Sequence, residues 1–156
     1  MKRLLVVMPL VLATASVGTG CGGDDDNGSG ASSTTSTATA LTKQEFLKRG
    51  NHICEQGQKH INAAEQKVGD NPSQAEIDKF TTKTAIPTLQ YEIAGLQGLA
   101  PPSGDEEQVD AITTAAQQAL DKLKADPSLI TASGKDNPFA EANRLANQYG
   151  LTACGG

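Results

Sequence analysis

The stretch that decides the fold runs from residue 42 to residue 57 and reads TKQEFLKRGNHICEQG. Thr42 and Glu45 have the spacing of a capping box, in which the hydroxyl and the carboxylate each accept a hydrogen bond from a main-chain amide at the start of a helix. From Phe46 to Val68, apolar or small residues return every three or four positions. This period predicts an amphipathic helix that begins after Thr42.

Helix signals recur along the rest of the chain, whereas the alternating pattern of a strand does not appear. Residues 73–76 and 103–106 have the spacing of two further capping boxes. Asn137 is predicted to cap a last helix that starts with Pro138 and ends at Gly150, a typical position for a helix-ending glycine. We therefore expect about four helices, joined by polar turns.

The second helix contains Pro87, where the apolar face shifts by about one residue. Proline removes a main-chain donor and clashes with the preceding turn, so we expect either a kink there or a break into two helices. Such a kink opens a pocket in one interpretation. In the other, which we favour, it bends the helix around the core.

The N-terminal residues 1–20 have the features of a lipoprotein signal peptide. Two basic residues, Lys2 and Arg3, precede an apolar run that is shorter than the roughly 20 residues needed to span a membrane. The run ends in residues 18–21, Gly-Thr-Gly-Cys, which resemble a lipobox although Gly18 stands where that motif usually has Leu, Val or Ala. Cys21 is therefore expected to carry diacylglycerol. An ordinary secretory signal is the alternative.

Residues 21–40 are rich in Gly, Ser, Thr and Asp and contain too few large apolar residues to form a core. We expect a disordered linker that spans about 25 Å between the lipid anchor and the folded part. The predicted location is the outer, extracytoplasmic face of the cell membrane. Residues 41–156 then form one domain of about 115 residues.

Three cysteines leave one pair, Cys54 and Cys154, if Cys21 is lipidated. Outside the cytoplasm such a pair is expected to form a disulfide. No Lys, Arg or His stands near Cys154 in the sequence to activate it as a reactive thiol, which is the other interpretation. The predicted fold is an all-α, small helical bundle of about four helices, stapled by this one disulfide.

Composition excludes some partners and activities. The formal net charge is −5, basic residues form no cluster in the sequence and aromatic residues are few, so we expect no nucleic acid as partner. His52 and His60 are about 12 Å apart along a helix, which is too far for one metal ion, and His52 with Glu55 supplies only two ligands. We interpret these side chains as a solvated face. Because no catalytic or cofactor-binding motif is present, we expect neither an enzyme nor a cofactor.

Three stretches of the folded part resemble a family of small exported lipoproteins, common in actinobacteria, for which no activity is established. They are residues 42–54, residues 85–102, and residues 137–154 with the ending Tyr-Gly-Leu-Thr-Ala-Cys. The resemblance implies the same location and a similar fold, and it implies no mechanism.

Three functions remain open. The first is a non-catalytic envelope module that contacts another protein or cell-wall polymer, favoured because many Ala and Gly residues are expected to pack the helices closely. The second is a binder of a small apolar ligand or lipid within the bundle. The third is an extracytoplasmic enzyme of unrecognised type.

Overall fold

The structure is a computed structural model that describes residues 39–156. The predicted signal peptide, the predicted lipid attachment at Cys21 and almost all of the predicted linker lie outside the described residues. In the described part, no helix is both long enough and apolar enough to span a membrane.

The described region is all-helical and contains no strand. Its helices are α1 (Lys43–Val68), α2 (Gln74–Phe80), α3 (Ile86–Gln97), α4 (Glu106–Ala125) and α5 (Ala140–Tyr149). A π-helical segment, Thr81–Ala85, joins α2 to α3 within the right-handed helical conformation, so that these two form one of four helices. Two short 3₁₀ helices, Pro127–Thr131 and Gly134–Asp136, connect α4 to α5. The predicted fold class is confirmed.

The capping box predicted at the start of α1 is present. The Thr42 hydroxyl accepts a hydrogen bond from the amide of Glu45 at 3.2 Å, and the Glu45 carboxylate accepts one from the amide of Thr42 at 3.2 Å. These bonds satisfy two amides that the helix itself leaves without partners. The helix ends at Gly69, whose φ of 86° is a left-handed value that favours glycine.

The capping box predicted at residues 103–106 does not form. Asp105, not Ser103, is the residue that precedes α4, and its side chain makes no capping bond. Instead, the Asp105 carboxylate accepts hydrogen bonds from Lys43 Nζ and from the Tyr149 hydroxyl, each at 2.9 Å. The third box is therefore a wrong prediction: α4 begins at Glu106, whose carboxylate accepts a hydrogen bond from the amide of Gly104 at 2.8 Å and not from that of Ser103.

The last helix begins later than predicted, at Ala140 instead of Pro138. Asn137 still acts at this end, since its side-chain oxygen accepts a hydrogen bond from the amide of Phe139 at 2.9 Å. A bond from an Asn side chain to the amide two residues later closes an Asx turn. Asn137 therefore forms a turn that precedes the helix and is not its N-cap. The predicted glycine end is present at Gly150, with a φ of 105°.

The shift of the apolar face near Pro87 corresponds to the π-helical segment. There the amide of Ile86 donates to the carbonyl of Thr81, five residues back, so the turn holds one residue more than an α-helical turn. The carbonyl of Thr84 accepts a hydrogen bond from the hydroxyl of Thr88 at 2.8 Å. The chain thus passes the proline without leaving the helix, and Pro87 lies exposed in the first turn of α3.

The core forms around Phe46, which is fully buried against Tyr149 and Leu151. The predicted disulfide is present and joins Cys54, in the middle of α1, to Cys154, with a Cα–Cα distance of 5.1 Å. Asn51 supports the same junction, because its side chain donates to the carbonyl of Gly150 at 3.2 Å and accepts from the amide of Ala153 at 2.8 Å. The C-terminal segment, residues 151–156, is thereby held against α1.

Candidate functional site

A cleft of about 280 Å³ with a mainly apolar lining lies in the middle of the bundle and is the candidate site. Helices α1, α3, α4 and α5, the segment between α4 and α5, and the C-terminal segment all contribute to its walls. The lining is mainly apolar, and its large apolar members are Ile61, Leu89, Ile93, Leu96, Ile112, Leu129, Ile130 and Phe139. A concave, mostly apolar surface with a few polar groups is the usual form of a small-molecule site.

One face of α3 forms the longest wall. Leu89, Glu92, Ile93 and Leu96 occupy positions i, i+3, i+4 and i+7, so the helical period turns all four toward the cleft. On α4, Ala116 and Ile112 line the cleft. Small and large residues therefore both contribute to its walls, and a cleft is present although the many small residues favour close packing of the helices.

The segment between α4 and α5 covers a further side of the cleft with Leu129 and Ile130. Both lie in the 3₁₀ helix that follows Asp126, whose carboxylate accepts a hydrogen bond from the amide of Ser128 at 3.1 Å. Sequence reasoning treated this segment as a loop. The two adjacent large apolar residues are a signal that could have identified it as part of the interior.

The disulfide forms another part of the wall, since both Cys54 and Cys154 line the cleft. Gln58, one turn after Cys54, donates from its side-chain nitrogen to the carbonyl of Ala153 at 2.6 Å. A covalent bond and a hydrogen bond therefore hold the C-terminal segment in place beside the cleft. The disulfide has a structural part in shaping this site.

Glu92 is the one ionisable side chain among the described residues that line the cleft. Its Oε1 atom is buried, and it has no hydrogen-bond partner within residues 39–156. Burial raises the pKa of Glu92 to about 7, because the charged form loses solvation and gains no bond. The carboxyl group is thus near its titration midpoint at neutral pH.

Gly57 explains how this carboxyl group is accommodated. Glu92 Oε1 occupies the space that a Cβ atom at position 57 would need, and the Cδ and Cγ atoms of Glu92 are the next nearest to it. The second carboxylate oxygen lies farther from that position than these three atoms. The helical period of the sequence predicts Gly57 on the apolar face of α1, but it gives no signal that Glu92 belongs to a site.

The other residues considered from the sequence lie away from the cleft. Pro87 is exposed and is absent from the lining. His52, Glu55 and His60 are exposed on α1, and residues 39–156 hold no group of three or more potential metal-ligating side chains. Neither the proline nor the histidines contribute to the candidate site.

The structure corrects one expectation about charge. Lys67 lines one shallow surface hollow together with Lys79 and Lys83, which are one helical turn apart, and with His60 and Glu76. A local basic cluster therefore exists on the described surface, although the sequence shows no run of basic residues. It forms because α2 and the π-helical segment bring two lysines next to the end of α1.

Comparison with known proteins adds no relative: no family model, no curated protein and no solved structure matches this chain.

Proposed function

We propose that this protein is a non-catalytic, lipid-anchored extracytoplasmic binding protein that takes a small apolar ligand into the cleft. The cleft is the observation that supports this function over the other two. Its volume of about 280 Å³ is close to the lower end of the range of roughly 300–1,000 Å³ that is usual for ligand pockets.

The same cleft weakens the case for a purely protein-binding module. Tyr91, at 70% exposure, is the one large hydrophobic residue that is strongly exposed in the described part. Protein-binding surfaces generally present a contiguous apolar patch with aromatic residues at its centre. The apolar surface of this domain faces inward, toward the cleft, which favours a small molecule as the partner.

The volume limits the size of the ligand. A cavity of about 150 Å³ accommodates benzene, so a cleft of about 280 Å³ corresponds to roughly ten to twelve non-hydrogen atoms. A ligand of that size is expected to bind with an affinity between about micromolar and millimolar.

The proposed location rests on the predicted signal peptide and lipidated cysteine. The linker of residues 21–40 would hold the cleft some 25 Å from the lipid surface, where it can sample small molecules in the envelope. Growth with labelled palmitate tests this part of the proposal. We expect the full chain to incorporate label and the Cys21→Ser chain to incorporate none; equal labelling would contradict it.

Naphthalene, which has about ten non-hydrogen atoms, is a suitable probe for the cleft. We would titrate it into oxidised residues 21–156 that carry Cys21→Ser, and follow binding by calorimetry. The Ala116→Phe variant fills the cleft and should weaken binding at least about tenfold. Ala111→Phe, at an exposed position of the same helix that does not line the cleft, should leave binding unchanged. Lack of binding to the parent chain in buffer saturated with naphthalene, or equal binding by the two variants, would overturn the proposed function.

A further inference from the structure

The chemistry of the cleft also specifies the polar part of its ligand. We infer that the cleft binds an apolar amine, whose protonated nitrogen donates to the carboxylate of Glu92. This inference rests on the proposed function, because it names the ligand class of the same cleft.

The first argument is the unsatisfied acceptor. Glu92 Oε1 is buried without a hydrogen-bond partner in residues 39–156. A buried polar group without a partner is unfavourable, and a ligand that brings a donor removes that cost. Because the charge of a carboxylate is shared by its two oxygens, a donor at Oε2 also stabilises the charge on Oε1, which is packed on Gly57.

The second argument is that the described lining contains no other ionisable side chain. Its other polar side chains are the uncharged amides of Gln58, Asn137 and Asn143, and Gln58 uses its side-chain nitrogen to bind the carbonyl of Ala153. The remaining large side chains of the lining are apolar. Glu92 is therefore the one side chain there that can form an ion pair with a ligand.

The third argument is charge. The lining contains no Lys, Arg or His in the described residues, so an anionic ligand would enter without a counter-ion and would face a carboxylate. The formal net charge of −5 adds to that repulsion. A cationic ligand would instead be attracted to the Glu92 carboxylate. An ion pair that apolar walls shield from water is stronger than the same pair at an exposed surface.

The apolar walls determine the rest of the ligand. Leu89 and Ile93 flank Glu92 on α3, and Ile130 lies in the segment that closes the cleft. A polyamine or a sugar amine would leave its other polar groups without partners against these side chains. The ligand class is accordingly an alkyl or aryl group of about ten non-hydrogen atoms that carries one primary amine.

Three probes of similar size and different head group test this inference: 1-naphthylmethylamine, 1-naphthylmethanol and 1-naphthoate. We would measure their Kd values by calorimetry at pH 8, where Glu92 is largely ionised and a primary amine is largely protonated. The chain is oxidised residues 21–156 with Cys21→Ser. We expect the amine to bind at least about tenfold more tightly than the alcohol, and the carboxylate to bind most weakly.

Two variants show whether Glu92 is the cause. Glu92→Gln keeps the shape of the side chain and removes its charge, and it should abolish the preference for the amine while the affinity for the alcohol stays within about twofold. Glu55→Gln removes the same charge from an exposed position outside the cleft and should leave the preference intact.

The outcomes separate this inference from the proposed function. If the alcohol binds and the amine shows no preference, or if the preference persists in Glu92→Gln, the inference fails and the apolar binding function stands. If none of the three probes binds, both fail. If Glu55→Gln loses the preference as fully as Glu92→Gln, the effect comes from overall charge and the assigned role of Glu92 is wrong.

Discussion

Glu92 Oε1 lies against the main chain of Gly57, in the space that the Cβ atom of any other residue would occupy. The contact joins α1 to α3 at the edge of the cleft and removes one carboxylate oxygen from water. Burial raises the pKa of Glu92, and the contact with Gly57 contributes to that burial.

Replacement of Gly57 by Ala is expected to displace the Glu92 carboxyl group toward solvent. The new Cβ atom overlaps the end of a flexible side chain, which can move at low cost, and alanine favours the helix by about 1 kcal/mol. The free energy of unfolding should therefore change little, whereas the pKa of Glu92 should fall toward its ordinary value. A carbon-detected NMR titration measures that pKa.

Gly98→Ala is the control for this experiment, since a Cβ atom there meets only main-chain oxygens at 3.4 Å or more. It should leave the pKa of Glu92 unchanged. A pKa that stays near 7 in Gly57→Ala would show that the contact with Gly57 does not cause the shift.

Glu92→Gln is expected to stabilise the protein in a pH-dependent manner. The pKa is raised from 4.5 to about 7 in the folded state, so below pH 4.5 the carboxyl group is protonated in both states and has no effect. As the pH rises from 4.5 to 7, the folded parent chain loses stability, and above pH 7 the loss is complete. Because Glu92 is partly exposed, we expect a difference of about 1–2 kcal/mol at pH 8.

Urea unfolding of both chains at pH 4, 6 and 8 measures this difference. It should grow with pH up to about 7 and then level off. A difference that is the same at all three values would contradict a titrating, buried Glu92.

The Cys54→Ser, Cys154→Ser double variant is expected to lose much of the stability of the domain. The disulfide spans 100 positions of sequence, and a loop of that length corresponds to about 4–5 kcal/mol in the chain-entropy model. Urea unfolding without reductant measures the loss. Reductant should destabilise the parent chain and leave the double variant unaffected; a loss below about 1 kcal/mol would mean that the tertiary contacts alone hold residues 151–156 on α1.

Tyr149→Phe removes the hydrogen bond from the Tyr149 hydroxyl to Asp105 and is expected to cost about 1–2 kcal/mol. The pKa of Asp105, which is lowered first by Lys43 and then by Tyr149, should rise only part of the way to its ordinary value, because the Lys43 bond remains. Thermal unfolding and an NMR titration measure the two effects. Tyr91→Phe, at an exposed position, is the control and should change neither quantity.

Local sequence determined most of the secondary structure. Several helix termini depend on residues within one turn of each other, so they follow from short-range rules. They are the capping box at Thr42, the helix ends at Gly69 and Gly150, and the end of α4 before Pro127. The position of the shift before Pro87 was also predictable, although its form as a π-helical segment was not. The cysteine count predicted the disulfide because export and lipidation of Cys21, both predictions, would leave one pair with a single way to form it.

The cleft and the ionisation of Glu92 within it follow only from the tertiary structure. The pKa of Glu92 depends on Gly57, which is 35 positions away in the sequence, and on walls supplied by four helices. The bonds of Asp105 to Lys43 and Tyr149 likewise join residues that are distant in the sequence. Side-chain period and capping act within a helix, whereas burial and a cavity are properties of how helices meet, and single-sequence patterns do not contain that distance information.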